Sequence, residues 1–346
     1  MSITIREVAE LSGFSIATVS HVINKTRYVS PEVTDKVLYA IKELNYYPNL
    51  IVRSLRNKKT NTIGLIMPSI SNEMYGALAE NIQKILFHKG YSLILCNTSY
   101  DPILEIQALN TFIMKKADAI IIIPVNENND KLIEIQGMNI PVLLVDRTIK
   151  DLSIDTVRVD NFKGEYEAVN YLIKLGHKHI GYIDRKVDLS HSIEQREGYY
   201  QALKDNNIPI DDKNVIRANG YYYKSGIETV KDLVYKNPKI TAISCFYDVL
   251  AFGAMRGLLD LGYKIPDDFS IIGFDGMPFT EATTPRLTTM FTSVKDIAIE
   301  ACRIVLDRLD QKDLEKMTDN ASSLEAETVL IKPELIIRES TGPAKN

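Results

Sequence analysis

The sequence predicts two unlike parts: an N-terminal all-α headpiece of helix-turn-helix type, and an α/β core of two similar parallel-sheet lobes. Two observations carry this. Residues 4–44 show three short apolar stripes at helical spacing, each opened by a capping residue. From Thr62 onward, strand-sized apolar runs alternate with helical stretches in two successive series. Repeated βα units imply right-handed crossovers and parallel strands, and two series imply two lobes. The 346 residues suffice for two or three domains with sizeable cores.

The headpiece is read from its caps. Thr4 and Glu7 have capping-box spacing, with Ile3 and Val8 flanking them as a hydrophobic staple. Gly13 marks the corner, where a residue without a Cβ is needed. Ser15 caps the second helix, with Phe14 and Val19 at the staple positions. Ile5, Val8 and Ala9 of the first helix and Val19, Val22 and Ile23 of the second face inward. Ile16, Ala17, Ser20, His21 and Asn24 share the other face, and none is needed for a core. Small and hydroxyl side chains let a helix lie close to phosphates, and a few longer ones reach base edges. That is the geometry of a recognition helix in a major groove. In isolation, an αα-hairpin with a polar outer face fits the same residues. A third helix follows, with Ser30 as cap, Pro31 in the first turn, and Val33, Val37, Ala40, Ile41 and Leu44 as its stripe.

Charge supports a polyanionic partner for this part alone. The whole chain carries −4, yet residues 1–60 hold nine Lys/Arg against five Asp/Glu, and the remainder holds 32 against 40. A basic head on an acidic body is the pattern of one small domain meeting nucleic acid. The 45% apolar and 25% charged content is that of an ordinary globular protein. No signal-peptide core opens the sequence, and no run approaches ~18 apolar residues. Cys96, Cys245 and Cys302 are far apart and odd in number, so buried reduced thiols are expected. These readings predict a cytoplasmic protein without a membrane partner.

Residues 49–60, NLIVRSLRNKKT, precede the first strand and have no core to pack against. One reading is a solvated basic linker. The sharper one is a segment that becomes helical on binding, its basic residues on phosphate and Leu55 wedged between base steps of the minor groove.

In the core, the first series places strands at 63–67, 92–96, 119–123, 141–146 and 156–160, with helices at 75–89, 105–115 and 131–138. The second places strands at 179–184, 215–218, 242–246 and 270–275, with helices at 162–175, 193–206, 223–235 and 249–261. A strand at 287–292, a helix at 295–309 and an extended stretch from 328 then return to both lobes. Ligands in such sheets bind in the crevice beyond the strands' carboxyl ends.

Several motifs now stand in order. SxxTVSxVIN runs from Ser15 to Asn24, VSPEVTDKVLYAIKELNYYPN from Val29 to Asn49, and RSLR from Arg53 to Arg56. Thr62-Ile-Gly64, the PVLLVDR of residues 141–147, Val159-Asp-Asn161, Leu175-Gly-His177, the SIIGFD of residues 270–275, and the PELI of residues 333–336 with Arg338 and Ser340 follow. On these the chain resembles, along essentially its whole length, bacterial transcriptional regulators of the lactose/galactose repressor family. The segment from Ser20 to Tyr28 is most similar to the purine-repressor branch.

The resemblance implies a DNA-binding headpiece at 1–48, a hinge helix at 49–60, and an effector-binding and dimerisation core at 61–346. The core would be shaped like a periplasmic sugar-binding protein, with lobes at 61–160 plus 293–322 and at 161–292 plus 323–340. It implies a homodimer, or a tetramer, reading a near-palindromic operator. Phosphate contacts would come from Thr4, Ser15, Thr18, Ser20 and Asn24, base readout from Ile16, Ala17 and His21, and further DNA contacts from Asn49 and Arg53. Leu55 from each subunit would kink the central minor groove. Apolar Ile16 and Ala17 suit thymine methyls rather than bidentate hydrogen bonds. Val52 stands where the family usually has Ala.

Positions matching the family's effector pocket are Tyr75, Asp146, Tyr221, Asp248 and Asp275. Aromatic rings stack on sugar or base faces, and a carboxylate can accept two hydroxyl protons. The family's effector arginine lies three residues before the glycine of an RxxGF/Y motif. Gly198 has Gln195 at that spacing, and Arg196, one residue later, is the expected substitute. A sugar inducer is the expected effector and a purine-like corepressor the alternative. No cofactor is expected, since neither a P-loop nor a dinucleotide fingerprint is found.

Other signals are weaker. His177-Lys-His179 lacks clustered metal-binding partners. No GxSxG elbow or other catalytic constellation supports an enzyme. A solute-binding receptor would have no use for the headpiece. The wedge role of Leu55 is testable by duplex titration: Leu55→Ala loses more affinity for operator than for non-specific DNA, and equal losses reject it.

Overall fold

The structure is a computed structural model that describes residues 3–24, 26–46, 59–125, 130–149, 152–220, 222–318 and 325–345. It divides into two compact units, Met1–Thr60 and Asn61–Asn346. Asn49, Val52, Arg53 and Leu55 of the expected hinge, and Tyr221 of the expected pocket, lie outside the described residues.

The first unit contains α1 (Ile5–Ser12), α2 (Ile16–Asn24) and α3 (Pro31–Glu43). The Glu7 carboxylate accepts from the Thr4 backbone N–H at 2.6 Å and from its hydroxyl at 2.8 Å, which closes the start of α1. Gly13 ends that helix at φ +76°, a left-handed conformation that disfavours a side chain. Ser15 Oγ accepts from the Thr18 N–H at 3.1 Å and starts α2. Ser30 departs from expectation: it precedes α3, but its side chain makes no cap bond, and Pro31 opens the helix instead. Val8, Ala9, Val19, Val22, Val37 and Ala40 form the core. Eight partly buried apolar side chains, Phe14 and Tyr46 among them, pack against these six.

The second unit holds two six-stranded sheets. In the first sheet are β1 (Thr62–Met67), β2 (Ser92–Asn97), β3 (Ala119–Ile122), β4 (Val142–Val145) and β5 (Asp155–Val159). In the second are β6 (Ile180–Arg185), β7 (Val215–Ala218), β8 (Ala242–Cys245), β9 (Ser270–Asp275) and β10 (Thr288–Phe291). The intervening helices are α4 (Glu73–His88), α5 (Pro102–Met114), α6 (Asp130–Gly137), α7 (Asn161–Lys174), α8 (Ser190–Asp205), α9 (Tyr223–Lys236) and α10 (Asp248–Asp260). After β10 come α11 (Val294–Thr318), β11 (Thr328–Ile331) and β12 (Glu334–Ile336). Strand orders are β11-β5-β4-β3-β1-β2 and β12-β10-β9-β8-β6-β7. Helices cover both faces, so central strands read as continuous apolar runs; Ile63, Leu65, Ile66 and Met67 are all fully buried.

The structure corrects the expected core in four places. Strand β12 pairs antiparallel with β10, so the second sheet is not wholly parallel. Strand β11 pairs with β5, which assigns 328–331 to the first lobe rather than the second. The chain therefore passes back to the second lobe between β11 and β12. Helix α11 runs nine residues past the expected end at 309. Cys96, on edge strand β2, is only half-buried, while Cys245 and Cys302 are buried as expected.

Two local devices set the shape of the second lobe. A Cβ on Gly253 would overlap the Tyr223 carbonyl, and one on Gly226 would overlap the Leu250 carbonyl. Helices α9 and α10 therefore cross in backbone contact, which fixes where their N-termini point. The C-terminal stretch is stitched across β9 and β10. Ser340 Oγ donates to the Ile271 carbonyl at 2.6 Å and accepts from the Thr288 N–H at 2.8 Å. His177 completes that seam with Thr241 Oγ1 at 2.8 Å, Ser270 Oγ at 3.0 Å and the Gly342 carbonyl at 3.0 Å. Its ring is occupied by structure, and no metal-binding cluster occurs among the described residues. No helix among them is long and apolar enough to cross a membrane.

Candidate functional site

The outer face of α2 is accessible and mixes apolar with polar side chains. Ile16 and Ala17 are exposed, and Thr18, Ser20, His21 and Asn24 are half-buried. Asn24 turns its amide back on the helix, donating to the Ser20 carbonyl at 2.8 Å and the Ser20 hydroxyl at 3.2 Å. His21 Nδ1 lies 2.7 Å from Thr26 Oγ1. Thr4 and Ser15 stand exposed at the N-termini of α1 and α2, where backbone N–H groups favour anions.

The second site follows from topology. In the order 2-1-3-4-5 the switch point lies between β1 and β3, and its counterpart in the second sheet lies between β6 and β8. Loops at the carboxyl ends of β1, β2, β7, β8 and β9 surround a cavity of about 700 Å³. Ser69, Asn72, Glu73 and Tyr100 line it from the first lobe, and Tyr247, Asp275 and the mouth residues Tyr222, Tyr223 and Phe279 from the second.

A layer of buried charge underlies Tyr100 and Tyr247. The Tyr75 hydroxyl donates to Asp146 Oδ2 at 3.1 Å and accepts from Arg147 Nη2 at 3.4 Å. Arg147 also donates to the Pro124 carbonyl. In the second lobe, Arg185 Nη1 lies 2.8 Å from His191 Nε2, and the Tyr247 hydroxyl lies 3.2 Å from the same nitrogen. A guanidinium has no acceptor, so His191 Nε2 must accept and its proton sits on Nδ1. Burial and the two nearby arginines push the His191 ring well below its usual pKa, consistent with this neutral form. Asp146 at φ +71° and Asp275 at φ +112° both leave their strands in strained backbone. Such strain clusters at binding sites. Burial, with Asp248 and Asp146 nearby, pushes the Asp275 carboxyl well above the usual range.

Two expected pocket residues are placed elsewhere. Arg196 is absent from the cavity wall; its guanidinium binds Asp184 at 2.5 Å and Asp188 at 2.9 Å on the flank of the second lobe. Gln195 is buried and lies 3.3 Å from the Tyr182 hydroxyl, so the family's arginine position points inward here. Asp248 is fully buried, accepting from Thr289 Oγ1 at 2.6 Å and the Met277 N–H at 2.7 Å. It ties the loop after β9 to α10 and has no face on the cavity. Tyr75 and Asp146 bond to each other beneath the cavity, and among the described residues of the expected pocket Asp275 lines it.

Sequence reasoning missed Arg147, Arg185, His191, Tyr100 and Tyr247. A usable signal existed: each follows closely on a strand's carboxyl end or ends that strand, where the parallel-sheet rule puts ligands.

Comparisons with known proteins are consistent along the chain. A profile described as "Bacterial regulatory proteins, lacI family" matches residues 4–49. One described as "Periplasmic binding proteins and sugar binding domain of LacI family" matches residues 60–331. The HTH-type transcriptional regulator DegA of Bacillus subtilis is 34% identical over 99% of both chains. The HTH-type transcriptional repressor PurR of Actinobacillus pleuropneumoniae serotype 3 is 33% identical over 97% of this chain and 98% of its own length. The lac repressor dimer bound to operator and the anti-inducer ONPF shares the fold, with TM-score 0.85, 23% identity, and coverage of 99% of this chain and 100% of that one.

The buried Asp248 has a measurable signature. Burial pushes its pKa from 3.8 to about 7, so between those values the folded state holds a proton that the unfolded chain has lost. Its contribution to stability is therefore present at low pH and lost as pH rises through that window. Urea melts of the parent and Asp248→Asn should show the parent losing stability relative to the variant across it. A constant gap contradicts the assignment.

Proposed function

We propose a function on the ground that this chain belongs to the lacI family of bacterial regulatory proteins: it is a transcriptional repressor, most simply of a metabolic operon, whose operator affinity is set by a small molecule. The observation that carries this is the pairing of two sites in one chain. One is a helix face free of core duties, and the other is a cavity at the carboxyl ends of two parallel sheets.

In this reading Thr4, Ser15, Thr18, Ser20 and Asn24 hold phosphates, while Ile16, Ala17 and His21 read bases. Asn49, Arg53 and Leu55 of the hinge segment engage the operator centre. Two chains act together on a near-palindromic site. Apolar surface supports a second copy: Leu95 on edge strand β2 and Ile103, Leu104 and Ile106 on α5 are all exposed. The work is done in the bacterial cytoplasm.

The effector enters between the lobes, above Tyr75, Asp146 and Asp275. Polar links among the described residues tie the lobes beside it. Arg158 of β5 holds Glu194 of α8 at 2.7 and 2.8 Å, and Ser190 Oγ accepts from the Thr148 N–H at 3.1 Å. A ligand that prefers one lobe arrangement shifts the population and with it DNA affinity. A sugar inducer fits a wall that offers the Asp275 carboxyl and the polar side chains Ser69, Ser71 and Asn72 to its hydroxyls. A purine-like corepressor is the second reading, favoured by aromatic rings on which a base also stacks.

Genomic duplexes titrated at two salt concentrations test the proposal. Tight, sequence-selective and salt-sensitive binding is expected, since each phosphate contact releases counterions. Binding that is weak and indifferent to sequence rejects it. Asp275→Ala should remove the effector's influence on operator affinity, and a retained response rejects that residue's role.

A further inference from the structure

The cavity wall carries information about its occupant in two independent ways. The first is the number of aromatic rings. Tyr222, Tyr223 and Phe279, at the mouth, are 73%, 44% and 62% exposed. Large apolar side chains gathered on one accessible patch mark a binding surface. Tyr100, Tyr247 and Phe252 continue the wall inward. One pyranose ring has two faces and is covered by two aromatic rings. Six rings around about 700 Å³ leave most of the aromatic surface idle if a single sugar is bound.

The second is charge. Among the described residues lining the cavity, the formally charged side chains are Glu73 and Asp275, both acidic. The nearby cations, Arg147 and Arg185, are 3% and 2% exposed and lie beneath the wall. Their guanidinium groups already donate to Tyr75, the Pro124 carbonyl and His191. A phosphoryl or carboxylate group in the cavity would face carboxyl groups without a cation at contact distance. Sugar hydroxyls would instead find an acceptor in Glu73 and mixed donors and acceptors in Asp275, Ser69, Ser71 and Asn72.

We propose that the effector is a neutral oligosaccharide of two or three rings. Its inner ring sits between Tyr100 and Tyr247 with hydroxyls on Asp275. Its outer ring stacks on Tyr222 and Phe279 at the mouth. This rests on the effector-cleft reading above and narrows it, setting aside single sugars and sugar phosphates.

The full chain is screened on an array of neutral oligosaccharides. The tightest ligand is then compared by calorimetry with its component monosaccharides, their 6-phosphates, hypoxanthine and guanine. The oligosaccharide is expected to bind at least about tenfold more tightly than its components, the loss that follows when one ring's stacking is given up. Phosphates and purines should bind no better than the monosaccharides. Tyr222→Ala and Phe279→Ala should each weaken oligosaccharide binding by about three- to tenfold and leave monosaccharide binding little changed. Both side chains are exposed, and a circular dichroism spectrum matching the parent checks folding. A blank array, a monosaccharide as tight as any oligosaccharide, or a phosphate or purine as the tightest ligand overturns the proposal. The broader reading fails differently: no small-molecule fraction of a cell extract then alters operator affinity. Release of operator by such a fraction with a blank array sinks the oligosaccharide alone.

Discussion

Acidic and basic side chains buried at the junction of two lobes are the constraint on which the rest of this structure depends. Removing a charge from water costs several kcal/mol unless partners replace the hydration. Asp146, Arg147 and Arg185 are all buried at strand carboxyl ends. Their partners are drawn from several elements at once: Tyr75 of α4, the Pro124 carbonyl after β3 and His191 of α8. Arg147 of the first lobe also acts on His191 and Tyr247 of the second. The environment of these charges therefore depends on how the lobes meet.

The topology explains why the layer forms there. Parallel strands release all their following loops on one side, and two such sheets place two sets of loops around a single crevice. The crossings near residue 160, between β10 and α11, and between β11 and β12 join the lobes by three connections. The headpiece follows a different logic. Its core leaves the outer face of α2 for contact.

Much of this was legible in the residues. Capping boxes, glycine corners and strand-sized runs such as 119–123 located nearly every element, because local propensity and periodicity agree there. The SIIGFD motif pointed to Asp275, which lines the cavity, while Tyr75, taken from the resemblance alone, lies buried beneath it. Arg196 was misplaced because spacing to Gly198 says nothing about which acids wait nearby, and Asp184 and Asp188 capture it. Asp248 was misread because a carboxylate at a helix start serves a loop as readily as a ligand, and Met277 and Thr289 use it fully. The membership of β11 in the first sheet was hidden because a four-residue edge strand carries no label of its partner. His191 and Arg185 became visible as a pair only once β6 and α8 were in place.

The central claim is that cleft and headpiece share one equilibrium. Binding linkage makes the coupling reciprocal, so the factor by which effector changes operator affinity must equal the factor by which operator changes effector affinity. Effector dissociation constants measured by calorimetry with and without saturating operator duplex test this most directly. The account predicts a change matching the one seen in operator titrations, typically about 5- to 150-fold. Effector affinity that is the same on and off DNA would contradict it.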